Sequence, residues 1–175
     1  LGCALADDYA KIFRDSSNPE HIFAVDFLAN KMTHRADMFF RPIGDSKYHS
    51  DNTIFGALCP TSELVDSYEM ADGTDFSWDV HGQTPYLGRE PRFYANVFWG
   101  GQTWVSQANR TPDIEFFANG NSGPGAGDNY PTTGYLPIKF CDPDLNTANK
   151  EYGSLAWPVI RYADILLMYV EALNE

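Results

Sequence analysis

Chemistry in this chain would rest on aromatic rings and planar polar side chains crowded into segments that lack helix or strand periodicity. A sugar ring has an apolar C–H face edged by hydroxyls, so a site for it pairs a stacked Trp or Tyr with hydrogen-bonding side chains. Met32 to Ser50 supplies Phe39, Phe40, Arg41, Tyr48 and His49, with Arg35 and Asp37 nearby and Asp51 and Asn52 following. Phe76 to Tyr86 supplies Trp78, His81, Gln83 and Tyr86. Trp104 comes just after Gly100-Gly101, near Gln102 and Gln107, and is placed at a hairpin tip. The candidate ligand-binding set is therefore Phe39, Phe40, Arg41, Tyr48, His49, Trp78, Tyr86 and Trp104. The plain alternative is that these rings cover the protein's own core, and for Phe93 and Trp99, on an alternating face, that alternative is preferred.

Other residue types point away from catalysis. The four histidines show no ligand spacing, and neither H-E-x-x-H nor G-x-S-x-G occurs. A glycosidase needs two carboxylates about 5–9.5 Å apart, but none here lies in a catalytic motif. No enzyme, no metal and no cofactor is expected. Asp142-Pro143-Asp144-Leu145-Asn146 starts like a calcium loop, yet Thr147 and Gly153 stand where that template needs Gly and Glu, which leaves only a looser calcium loop open. The run Gly123 to Gly127 lacks the Lys-Ser/Thr ending of a phosphate loop. Arg89, Arg92 and Arg161 have the chemistry to grip a carboxylate; pinning loops through internal ion pairs is the preferred reading. Cys3, Cys59 and Cys141 are an odd number without metal spacing and read as thiols rather than a disulfide framework.

The elements that must position these residues are partly legible. Leu1, Leu5, Tyr9, Ile12 and Phe13 share a helical face, which predicts a helix ending near Asp15 to Asn18. His21 to Leu28 alternates and reads as a half-buried strand. Asn30 to Cys59 has no period and reads as a long loop. Thr61 caps a helix that Asp72-Gly73 ends. Arg92 to Trp99 alternates, which predicts a strand turning at Gly100-Gly101. Asn119 to Thr133 is loop. Trp157 to Glu175 reads as one helix, apolar nearly all round, which must be buried on more than one side. It runs to the last residue without a stop signal, so its neighbours are expected in sequence beyond this chain.

With 175 residues, 43% hydrophobic and 15% aromatic, the chain is too apolar for disorder. A net charge of −12 argues against nucleic acid and anionic membrane surfaces and suits a neutral ligand or a basic partner. No stretch has the length and apolarity of a signal peptide or membrane-spanning helix.

Several blocks resemble the SusD/RagB family of nutrient-binding lipoproteins. They are Asn18-Pro19-Glu20 with Ile22-Phe23, Pro60-Thr61 through Asp72-Gly73, Arg89-Glu90-Pro91-Arg92-Phe93-Tyr94-Ala95, Thr133-Gly134-Tyr135 with Lys139-Phe140, and Arg161-Tyr162-Ala163-Asp164 running to Glu175. Glu90, where Asp is usual, and Val170, usually Ala, depart mildly. The resemblance implies a mainly α fold with long irregular loops and a few short strands, part of a tetratricopeptide-type α-α superhelix. It implies that residues 1–175 are a fragment of a single such domain, incomplete at both ends. It also implies non-catalytic capture of oligosaccharides at the outer-membrane surface for a TonB-dependent (SusC-like) transporter, with a lipid anchor upstream of this chain; Leu1-Gly2-Cys3 is then a coincidental likeness to a lipoprotein cleavage site. Family members place binding residues in loops after the first strand, which favours Met32 to Ser50. The alternatives are a peptide-binding member, or a docking segment whose ligand site lies elsewhere.

Overall fold

The computed structural model describes residues 2–46, 54–106, 113–127, 129–146 and 151–175. Its regular elements are short. They are β1 (His21–Val25), α1 (Ala36–Phe40), α2 (Ser62–Asp66), α3 (Trp78–His81), α4 (Pro91–Asn96), β2 (Val97–Phe98), β3 (Leu136–Pro137), β4 (Trp157–Arg161) and α5 (Tyr162–Asn174). Short 3-10 helices occupy Tyr9–Phe13 and Ile43–Ser46. Two antiparallel ladders tie distant segments, β1 with β4 and β2 with β3. Among the described residues no α-α superhelix is assembled, and no helix is long and apolar enough to cross a membrane.

Local chemistry explains the differences from the sequence reading. The first helix shrinks to Tyr9–Phe13, opened by the Asp8 carboxylate accepting from the Ala10 amide at 2.9 Å. Residues 2–6 are not helical, so the Gly2-Cys3 block lies on no helix. The unperiodic stretch after β1 hides α1, too short to show a period. Thr61 does cap α2, its hydroxyl accepting from the Leu64 amide at 3.2 Å, but the helix ends at Asp66 rather than at Gly73. Arg92 to Trp99 is not one strand. Pro91 sits in the first turn of α4, where its missing N–H costs nothing, and the chain becomes extended only at Val97. Phe93 and Asn96, three apart, are the buried residues of α4, the spacing of a helical face.

The final helix begins five residues later than its apolar pattern suggests. Pro158 and the β-branched Val159 and Ile160 favour extended backbone, and Trp157–Arg161 pairs with β1 instead. Asp164 then starts α5 by accepting from the Arg161 amide at 3.0 Å.

Three buried clusters form the core. One joins Phe98, Trp104, Ile114, Leu136, Ile138 and Cys141 across the β2–β3 ladder. A second holds Ile12, Phe13, Ala36 and Phe140, with Phe40 packed against both. A third gathers Val65, Phe93, Val97 and Tyr135. In contrast, α5 buries no residue, and Phe23 and Val25 of β1 are exposed beside Val159 and Ile160 of β4.

Candidate functional site

Of the eight candidate residues, Trp78 alone is an exposed ring among the described residues, with half of its surface open. It opens α3, four residues long and so too short to hold itself without tertiary help. The help comes from α2: the indole Nε1 donates to the Asp66 carboxylate at 2.8 Å. Phe76 meets the indole edge-on at 5.4 Å and stacks on His81 at 5.5 Å. The Arg89 guanidinium lies 3.9 Å from the centre of the Phe76 ring. Trp78 is therefore an oriented apolar face, and Asp79, Gln83 and Thr84, its neighbours in sequence, are exposed. Such a ring can stack on the C–H face of a sugar, and side chains of this kind form a polar rim able to hydrogen-bond hydroxyls.

Beneath it, Arg89 is buried and donates to the Val65, Tyr68 and Pro85 carbonyls at 2.7, 2.8 and 3.2 Å. It does pin loops, but through carbonyls and rings rather than ion pairs. Burial, the leading cause, holds its pKa below the ordinary value. Arg92 and Arg161 do form internal ion pairs, with Glu90 at 2.6 Å and Glu20 at 3.2 Å.

The remaining candidates are dispersed. Phe39 packs against Phe55 at 5.4 Å, and Phe40 bridges two core clusters. Tyr86 is half-buried against Phe93, Trp99 and Tyr135. Trp104 is 6% exposed, packed edge-on against Phe98, so it is core and not a hairpin tip. Phe93 and Trp99 belong to the core as expected, Phe93 fully and Trp99 at its margin. Tyr48, His49, Asp51, Asn52 and Gln107 lie outside the described residues.

Arg41 is 0% exposed and spends its guanidinium internally. It reaches Asp37 at 2.7 Å, Asp45 at 2.6 Å and the Asp142 carbonyl. Two buried carboxylates share one buried guanidinium. Burial therefore pushes the Asp37 carboxyl above its ordinary value, more than Arg41 pulls it down. Arg41 itself is held above its ordinary value: burial opposes its charge, but Asp37 and Asp45 together outweigh burial. This arrangement anchors the 37–45 loop to the 142 turn and presents no cation to a ligand.

Two concavities had no signal in the sequence, because four separate segments build them. A shallow cleft of about 500 Å³ runs between residues 57–60 and Thr132, Thr133 and Pro137. A narrower one of about 160 Å³ shares Pro60 and Pro137 with it and is lined by Leu64, Val65, Tyr68, Asn96, Val97 and Lys139. Among the described residues no group of three or more metal-ligating side chains comes together.

A model of the SusD family matches residues 19–175. A SusD-like protein from Bacteroides fragilis superposes with a TM-score of 0.71 at 28% identity, over 94% of this chain and 35% of its own. A SusD-like carbohydrate binding protein from the same organism superposes with a TM-score of 0.74 at 23% identity, over 98% of this chain and 33% of its own. The chain thus spans about a third of the length of these solved structures. No curated protein matches.

Proposed function

The chain belongs to the SusD family, and on that premise we propose that it takes part in non-catalytic capture of oligosaccharides at the outer surface of a bacterial outer membrane. Delivery to a TonB-dependent, SusC-like transporter belongs to the same reading, as does a lipid anchor supplied outside this chain. So does the role of residues 1–175 as part of one larger domain whose tetratricopeptide-type helices cover α5. The observation that carries the glycan reading within this chain is the oriented, half-exposed indole of Trp78. The mechanism is stacking of the indole on a sugar face, with hydrogen bonds from the polar rim and no covalent step.

The test is migration of the intact protein in native gels cast with a panel of polysaccharides, beside Trp78→Ala. Retardation by a glycan is expected, with affinity falling about tenfold in the variant, roughly 1.4 kcal/mol. A second reading has its own support, since Phe40 and Trp104 pack into the core and Phe39 lies against Phe55. In it this chain is scaffold and the ligand is held elsewhere. Retardation unchanged by Trp78→Ala would favour that reading, and no retardation by any glycan would overturn the first.

A further inference from the structure

We propose that the narrow cleft between α2 and the β2–β3 ladder binds the carboxylate of an acidic sugar, a hexuronate residue. This inference rests on the glycan-capture reading and specifies the class of glycan. The side chains there leave a matched set of polar atoms unused. The Asn96 side-chain amide donates to the Tyr68 hydroxyl at 2.9 Å. That contact uses the Tyr68 oxygen as acceptor and leaves its own proton without an acceptor among the described residues. The side-chain oxygen of Asn96, Oδ1, is buried and finds no partner, in a residue that is only 8% exposed. An orphaned buried amide end costs free energy that a ligand can restore. Turning the amide over exchanges its two ends and still leaves one of them orphaned.

Lys139 supplies the charge. The hydrogen bond from the Ile138 amide to the main-chain carbonyl of Asn96, at 2.9 Å, holds the Lys139 segment beside α4. Its ammonium lies 4.4 Å from the centre of the Phe13 ring and 5.6 Å from that of Tyr9, and among the described residues it meets no carboxylate. Lys139 lines the cleft, and in a chain of net charge −12 its ammonium has rings but, among the described residues, no carboxylate for neighbours. Burial raises the Tyr68 phenol, so its O–H remains a donor at neutral pH.

A carboxylate in the cleft accepts from Lys139 and from the Tyr68 hydroxyl. A ring hydroxyl beside it donates to Asn96, and the apolar C–H face of the sugar lies against Pro60 and Pro137. A neutral sugar would leave the ammonium unpaired, and an amino sugar would be repelled by it. The volume of about 160 Å³ is below the roughly 300–1,000 Å³ of drug-sized sites and suits a single ring. The wider cleft continues past Pro60 and Pro137, where the Thr133 hydroxyl is another buried polar atom without a partner, and gives the next saccharide room. The chain's remote negative charges are screened beyond about 8 Å at physiological salt. The nearby Glu90 carboxylate is already held by Arg92, at 2.6 and 3.0 Å.

The test is NMR chemical-shift titration of the intact protein with methyl galacturonoside, methyl glucuronoside, their methyl esters and acetylglycine. At least one free acid is expected to bind about tenfold or more tightly than its ester, the scale of a charge-assisted contact. Lys139→Met should abolish that preference, so that acid and ester bind alike. Tyr68→Phe, which keeps the ring, should weaken acid binding several-fold, and Trp78→Ala should leave the preference intact. Equal binding of acids and esters, or a preference that survives Lys139→Met, overturns the proposal. Acetylglycine binding as tightly as the better uronate overturns the sugar assignment in favour of a peptide carboxylate. Retardation by neutral glycans with no uronate preference refutes this site alone and leaves glycan capture standing.

Discussion

At the scale of single residues, the chain spends its planar cations on itself. Arg41 is the clearest case, fully buried between Asp37 and Asp45. Breaking a buried pair leaves uncompensated charge, so Arg41→Met is expected to cost about 3–5 kcal/mol in urea unfolding. The pH dependence follows from Asp37. Its folded pKa is raised above the ordinary 3.8, so the folded state binds more protons than the unfolded state just above that pH. Stability from this group is full below 3.8 and is lost as pH rises through the raised value. Asp37→Asn should flatten that part of the stability–pH curve relative to wild type. An unchanged slope would remove Asp37 from the account.

At the scale of elements, helices of four to six residues carry most of the site, and none is stable by propensity. Their ends are fixed by single contacts. Thr61→Ala removes the α2 cap and is expected to cost about 1 kcal/mol. Because α2 carries Asp66, the partner of the Trp78 indole, tryptophan fluorescence should report a looser ring in the same variant. Loops are equally constrained where backbones touch. A Cβ on Gly123 would lie within 3.0 Å of the Phe116 carbonyl, an atom that cannot swing aside. Gly123→Ala is therefore expected to destabilise by about 1–3 kcal/mol, measured by the thermal midpoint. A neutral result would mean that this turn is not held as described.

At the scale of the whole molecule, one side of the chain is unsatisfied. Leu167 and Leu173 of α5 are each 68% exposed, and the β1–β4 ladder beside it displays Phe23, Val25, Val159 and Ile160. Exposed apolar area of this extent marks a packing surface. The chain of 175 residues on its own is expected to self-associate as concentration rises in sedimentation velocity. Leu167→Glu with Leu173→Glu should return it to a monomer. Monomeric behaviour of the unmodified chain at every concentration would show that this face needs no cover.

The sequence by itself determined the family, through blocks whose residues build local structure: the Thr61 cap, the Arg89 loop clamp and the Arg161–Asp164 start of α5. It determined that the last helix is apolar nearly all round, because that is a matter of spacing. It also yielded Trp78 among the ring candidates. Alternation misled at Arg92 to Trp99, since eight residues can meet a period of two by chance while Pro91 opens a helix. The tertiary structure alone decided which rings face water, because burial depends on what packs from distant segments. Trp104 is covered by residues as far along the chain as Cys141, and Trp78 is left open by the same folding. Only the tertiary structure brought Tyr68, Asn96 and Lys139 to one cleft, since no short-range pattern encodes a meeting of residues so far apart in sequence.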